Sequence, residues 1–330
     1  MRYIEIAEPG GPEVLRLATG PVPRPGRGEV LLRVEAAGIN RADLLQRQGH
    51  YPPPPGASPI LGMEVSGHIA QLGTALTSRW RACEPVCALL AGGGYAEYCL
   101  APEGQCMAQP AGTSLRDAGA IPEAAITVWA NLFEPRRLFA GNLFLAQGGS
   151  SGIGTLAIQI ARAFGARVAT TAGTDEKCSF CRSLGAETAI NYRTQDWAAE
   201  LAQWSQPHGI DCILDMIGGD YFAKHLSLLA TGGRLVQIAF SQGSQVTVDL
   251  RTMMTKRLLI TGSTLRPRTL AEKSSLARAV EQELWPLFAS GQLRPVVDCA
   301  FPLERAAEAH QLMESGRHKG KIVLEMHSRD

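Results

Sequence analysis

The residues with the plainest chemical meaning lie mid-chain, at Gln147-Gly148-Gly149-Ser150-Ser151-Gly152-Ile153-Gly154. A short apolar run, Leu143-Phe144-Leu145-Ala146, precedes them, and an amphipathic stretch from Thr155 to Phe164 follows. A strand-to-helix turn over glycines presents backbone N–H groups, and the helix start adds partial positive charge; both suit a pyrophosphate. The stretch reads as Gly149-x-Ser151-x-x-Gly154, with Ser for the middle Gly, or as Gly152-x-Gly154-x-x-Ala157. Either reading follows a strand and opens a helix within a βαβ unit, the context in which such a motif points to a dinucleotide. Gly149, Ser150, Ser151, Gly152, Ile153 and Gly154 are therefore expected cofactor contacts, the alternative being a purely structural tight turn.

The next strand ends Thr170-Thr171-Ala172-Gly173-Thr174. NAD-binding chains usually place an acid about 20 residues beyond the glycines to hold the ribose 2′-hydroxyl. No acid stands at this strand tip, which leaves room for a 2′-phosphate beside Gly173. Lys177 follows closely and Tyr192 ends the third strand; a cation and a phenol both suit a phosphate dianion. Asp175 and Glu176 compete for the ribose if the turn runs differently, and the bland alternatives are a solvated Lys177 and a core Tyr192. The expected cofactor is NADPH.

Eight cysteines (83, 87, 99, 106, 178, 181, 212 and 299) are scattered along the chain. Cys178-x-x-Cys181 has ligand spacing but lies in a helical pattern without a second pair, so free thiols in a reducing cytoplasm are expected. The histidines at 50, 68, 208, 225, 310 and 327 show no ligand spacing.

The elements that must position these residues follow from pattern. In 330 residues, 32 Lys and Arg balance 31 Asp and Glu, a net charge of +1 that disfavours nucleic-acid binding through bulk charge. At about 150 residues per domain the length allows two domains. No uninterrupted apolar run reaches membrane-spanning length, and the first residues lack the apolar core of a signal peptide. From Leu143 to Gly262, strands alternate with helices, which implies a parallel sheet covered on both faces. The first 110 residues instead read as β-rich and rich in Gly and Pro. A mixed end follows, with helices over 271–290 and 304–315 and a strand at Lys321-Ile322-Val323-Leu324-Glu325. The expected fold is α/β: a β-rich, partly closed catalytic domain (1–120 and 266–330) into which a doubly wound dinucleotide-binding domain (121–265) is inserted.

Particular stretches carry a family resemblance across essentially the whole chain: Gly10-Gly11-Pro12-Glu13, Gly28-Glu29-Val30-Leu31-Leu32, Ala37-Gly38-Ile39-Asn40-Arg41-Ala42-Asp43, Gly62-Met63-Glu64-Val65-Ser66-Gly67, Ala120-Ile121-Pro122-Glu123-Ala124 and Gly320-Lys321-Ile322-Val323-Leu324. The chain resembles the medium-chain dehydrogenase/reductase superfamily, specifically its zinc-free quinone oxidoreductases. Asn40-Arg41-Ala42-Asp43-Leu44, Gln46-Arg47-Gln48-Gly49, Tyr51 and the prolines 52–55 point to the branch typified by the tumour-suppressor-induced quinone oxidoreductase. The zinc members have Cys where this chain has Asn40 and His where it has Met63; amide and thioether are poor zinc ligands, so no metal is expected. The resemblance implies a GroES-like catalytic domain, a Rossmann domain, a small quinone or enone substrate, and a homodimer joined through the last strands of the nucleotide sheets. It places Asn40 beside the nicotinamide and Tyr51 at the substrate mouth as catalytic candidates. It adds Thr127, Ile217, Phe240, Thr264, Leu265 and Lys319 as cofactor contacts. The expected activity is NADPH-dependent quinone reduction; reduction of conjugated enals or enones and a non-catalytic NADPH-binding role are the alternatives.

Overall fold

Strand-forming runs alternate with helices from Leu143 onward, and the structure, a computed structural model describing residues 1–77, 79–134 and 137–326, folds them into one six-stranded sheet. Across it the strands run Thr188–Asn191, Arg167–Ala172, Leu143–Ala146, Ile210–Asp215, Leu229–Gln237 and Leu259–Gly262. Numbered by sequence that is the doubly wound order 3-2-1-4-5-6, and every pairing is parallel. The central strand Leu143–Ala146 is wholly buried, as a strand covered on both faces must be. The helix Gly152–Ala163 buries Leu156, Ile158 and Ile160.

Arg2–Ile6 pairs antiparallel with Leu15–Thr19 in a small two-stranded sheet, and a second large sheet has seven strands. Its path runs Val297–Pro302, Lys321–Glu325, Glu29–Gly38, Glu64–Leu72, Pro85–Leu89 and Cys106–Ala108, with Tyr98–Pro102 pairing Glu29–Gly38 off that path. Val30, Leu32, Val34, Val65, Ile69 and Tyr95 lie in its core. The late strand Lys321–Glu325 pairs antiparallel with Glu29–Gly38, Val323 opposite Gly38. This pairing returns the end of the chain to its beginning. The chain divides into two compact units, Met1–Ile126 with Leu265–Asp330, and Thr127–Thr264.

Local differences from the expected pattern have local causes. The last strand, expected over 256–262, begins at Leu259, and a helix at Leu250–Lys256 precedes it; Asp249 caps this helix by accepting from the Arg251 N–H at 2.9 Å. Tyr95 stands before the strand Tyr98–Pro102: its N–H donates to the Leu61 carbonyl at 2.9 Å and its ring enters the core. Cys178 and Cys181 are buried free thiols on the helix Asp175–Ser183, and burial pushes Cys181 up to about 12. His327 lies outside the described residues.

Candidate active site

The glycine-serine turn is built around Ser151. Its Oγ accepts from the Gly154 N–H at 3.0 Å, its own N–H donates to the Gly148 carbonyl at 3.0 Å, and its carbonyl accepts the first helical bond, from the Thr155 N–H at 2.9 Å. The N–H groups of Gly152 and Ile153 thus head the helix with no acceptor inside it. A methyl group on Gly149 would come within 2.1 Å of Thr170 Oγ1, and one on Gly154 within 2.4 Å of the Gly148 carbonyl oxygen. Gly149, Ser150 and Gly154 are buried, whereas Ser151, Gly152 and Ile153 are partly open. The turn leaves the strand Leu143–Ala146, whose neighbours run to opposite sides; this is the switch point where open parallel sheets bind ligands. These residues fit a dinucleotide phosphate.

A buried polar chain supports the turn. Thr171 Oγ1 bonds Gln147 Oε1, and Gln147 Nε2 lies 2.9 Å from His225 Nε2. His225 Nδ1 lies 3.5 Å from Asp215 Oδ2. Asp215 accepts from the N–H groups of Ile217 at 2.7 Å and Gly218 at 3.1 Å. Burial opposes its charge, but His225 and these N–H groups hold its carboxyl below the usual range.

At the second strand, a methyl group on Gly173 would come within 2.8 Å of the Tyr192 hydroxyl, so the phenol stands directly over the expected 2′-phosphate corner. Tyr192 is 41% exposed and follows the third strand rather than packing in the core. Thr174 caps the next helix by accepting from the Lys177 N–H at 3.2 Å, which places Lys177 in that helix's first turn. Asp175 Oδ1 accepts from Asn191 Nδ2 at 2.7 Å, so this carboxylate already has a partner.

The remaining cofactor candidates are more dispersed. Thr127 is half-buried on the helix Pro122–Leu132, and its carbonyl accepts from Asn131 Nδ2 at 2.8 Å. Ile217 follows the fourth strand and Phe240, 59% exposed, follows the fifth. Thr264 is exposed beyond the sixth strand; Leu265 and Lys319 are half-buried in the other unit.

Asn40 and Tyr51 belong to a second, more tightly built cluster. Asn40 caps the helix Arg41–Arg47: its N–H donates to Asp43 Oδ2 at 2.8 Å. Its amide Nδ2 donates to Glu64 Oε1 at 2.9 Å and, more distantly, to the Gly38 carbonyl at 3.4 Å, while Oδ1 accepts from Lys321 Nζ at 2.6 Å. The Asn40 amide is thus held by Lys321 at Oδ1 and by Glu64 at one Nδ2 hydrogen, which leaves its second hydrogen only the long Gly38 contact. Asp43 also accepts from the Gly62 N–H at 3.1 Å and the Tyr95 hydroxyl at 3.3 Å. Burial pushes Asp43 up to about 6 against these bonds.

Tyr51 is half-buried, and burial raises its hydroxyl above the ordinary value. The Arg266 guanidinium lies 5.4 Å from its ring centroid and donates to its carbonyl at 3.4 Å. Arg266 also donates to the Ala91 carbonyl and to Gln46 Oε1, each at 2.7 Å. One buried cation thereby ties the tyrosine loop, the glycine loop near 92 and the helix Arg41–Arg47 together. Glu123, whose N–H donates to Glu64 Oε2 at 2.9 Å, is pushed up to about 8 by burial and then by Glu64. Sequence reasoning missed Arg266, Glu123 and Lys321 as members of this cluster. Glu123 and Lys321 stood inside quoted motifs, but spacing alone did not mark Arg266.

The cluster does not fit zinc. Asn40 and Glu64 converge on the Lys321 nitrogen, 2.6 and 2.5 Å away, and Met63 supplies a thioether rather than an imidazole. A cationic nitrogen held by those oxygens and an amide in place of a thiolate oppose a divalent ion. Among the described residues no group of three or more His, Cys, Asp or Glu is arranged to hold a metal.

Comparison with known proteins agrees with this geometry. Residues 26–111 match the alcohol dehydrogenase GroES-like domain and residues 184–324 the family described as zinc-binding dehydrogenase. The chain is 32% identical to human quinone oxidoreductase over 328 residues, covering 98% of this chain and 97% of that one. It is 30% identical to mouse prostaglandin reductase-3, covering 93% of this chain and 83% of that protein. The solved structure of Escherichia coli quinone oxidoreductase complexed with NADPH superposes with a TM-score of 0.88 at 28% identity, covering 98% of this chain and 100% of that one. A sheet-rich GroES-like domain, a parallel dinucleotide-binding sheet and relatives matched from end to end lead to one assignment: this chain belongs to the quinone oxidoreductases of the medium-chain dehydrogenase/reductase superfamily.

Proposed function

We propose that this protein is an NADPH-dependent, zinc-independent quinone reductase. The observation that carries this reading is the Asn40–Glu64 pair closed around Lys321, which fits an ammonium and not a Lewis-acid metal. Carbonyl reduction ordinarily needs such a polarising group, whereas a quinone gains aromaticity on reduction and accepts a hydride without one. NADPH, when bound, supplies that hydride. Gly149, Ser151, Gly152, Ile153 and Gly154 hold its pyrophosphate; Gly173, Lys177 and Tyr192 take the 2′-phosphate. Thr127, Ile217, Phe240, Thr264, Leu265 and Lys319 complete the cofactor contacts. The Tyr51 hydroxyl, oriented by Arg266, donates to the acceptor oxygen as negative charge develops there. The final proton comes from this hydroxyl or from water.

The test is cofactor oxidation with an ortho-quinone, a para-quinone and a 2-alkenal. Higher kcat/KM for a quinone supports the reading. Higher kcat/KM for the alkenal favours enal or enone reduction, and no turnover of any acceptor favours a binding protein. Tyr51→Phe is expected to lower kcat roughly 10- to 100-fold, with NADPH affinity unchanged.

The protein is further read as a cytoplasmic homodimer. The strand Leu259–Gly262 ends its sheet, and Leu250, Met254 and Leu259 are 68%, 73% and 39% exposed beside it. Such an edge invites pairing with a second copy. Sedimentation at micromolar concentration is expected to give a dimer; a monomer would remove this assignment. No described helix is long and apolar enough to cross a membrane.

A further inference from the structure

Lys321 is the least expected member of the Asn40 cluster, and all of its hydrogen-bonding capacity is directed there. It opens the strand Lys321–Glu325 and is buried. Its Nζ donates to the Ile39 carbonyl at 2.9 Å and to Asn40 Oδ1 at 2.6 Å, and pairs with Glu64 Oε1 at 2.5 Å. An ammonium has three donors and no acceptor, so these three partners use it completely. Glu64 is equally committed: Oε1 takes Lys321 and Asn40 Nδ2, and Oε2 takes the Glu123 N–H. Gly38 makes room for this, because a methyl group there would fall within 2.4 Å of Glu64 Oε1.

The donor-only lysine and the acceptor-only carboxylate admit one orientation of the Asn40 amide. Oδ1 must face Lys321 and Nδ2 must face Glu64; a flipped amide would set N–H against N–H and oxygen against oxygen. The second Nδ2 hydrogen has only the Gly38 carbonyl at 3.4 Å, a long contact.

We propose that Lys321, paired with Glu64, is a positioning residue for acceptor reduction: it locks the Asn40 amide so that its loosely held second N–H meets the acceptor oxygen. Lys321 does not touch the acceptor, and Glu64 balances its charge. The pair therefore acts through orientation, on kcat rather than on cofactor affinity. This rests on the reductase reading for the identity of the acceptor and for its place beside Asn40.

The test is Lys321→Met combined with Glu64→Gln. Either change alone strands a buried charge and endangers folding, whereas removing both charges together is often tolerated. The double variant is expected to fold, to bind NADPH within about twofold of the parent, and to lose at least about tenfold in kcat with whichever acceptor the parent reduces best. Wild-type kcat, or an NADPH affinity lost as severely as kcat, would overturn the proposal. A second readout needs no turnover: side-chain amide hydrogen exchange at Asn40, assigned with Asn40→Asp. Slow exchange in the parent and fast exchange in the double variant is expected. Equal exchange in the two would overturn the lock while leaving the quinone reading intact, and a failure of quinone turnover alone leaves the amide result standing.

Discussion

Lys177→Glu is expected to raise the Kd for NADPH by roughly 100-fold while changing that for NADH by less than about threefold. The second strand ends without an acid, and the Tyr192 hydroxyl stands over Gly173. A 2′-phosphate at that corner carries close to two negative charges. Replacing a cation by an anion a few ångströms away costs about 1–4 kcal/mol per charge step at the effective dielectric of a protein surface, and each 1.4 kcal/mol is about tenfold in affinity. NADH lacks the phosphate, and Asp175, the nearest candidate for its ribose, is already bonded to Asn191. Titration of both cofactors by quenching of protein fluorescence checks this. Equal losses for both would show that Lys177 does not read the 2′-phosphate.

Glu123→Gln is expected to raise thermal stability in alkaline solution and to change it little in acid. Burial, and then Glu64, pushes the Glu123 carboxyl from 4.5 up to about 8. Below about pH 4.5 folded and unfolded chains both hold this proton, and it contributes no pH dependence. From there to about pH 8 the unfolded chain releases the proton while the folded chain keeps it, so rising pH progressively favours unfolding. Asp43, raised from 3.8 to about 6, acts in the same direction over a lower window. Glutamine is neutral throughout and removes the Glu123 contribution. The melting temperature of the variant should exceed that of the parent by about 5 °C near pH 9 and match it near pH 5. A gap that is the same at both pH values would show that Glu123 is ionised in the folded protein.

Much of the nucleotide unit was legible because its signals are local. Four apolar residues, a run of glycines and serines, and a helix with a 3.6-residue apolar period lie within about 20 consecutive positions, and each dictates backbone geometry by itself. The Ser151 cap and the close approach at Gly149 and Gly154 follow directly from that stretch. The helix Leu250–Lys256 was not legible, because it is only 7 residues long, buries none of them, and its apolar side chains Leu250, Met253 and Met254 are too few to mark a helix by themselves.

The chemistry at the other end was only half legible. Residue type alone shows that Asn40 and Met63 are poor metal ligands, and so removes a Lewis acid from consideration. What stands there instead depended on folding. Lys321 reaches Asn40 across 281 positions, and Arg266 reaches Gln46 across 220. The first of these meetings follows from the register that sets Val323 opposite Gly38, and that register is a property of the assembled sheet. No local period encodes it, because contacts so far apart in sequence are selected by the summed burial of the whole core. The amino-acid sequence determined the dinucleotide turn and the missing zinc ligands; tertiary structure decided which cation meets Asn40 and Glu64, which way the Asn40 amide points, and which carboxyls their surroundings push upward.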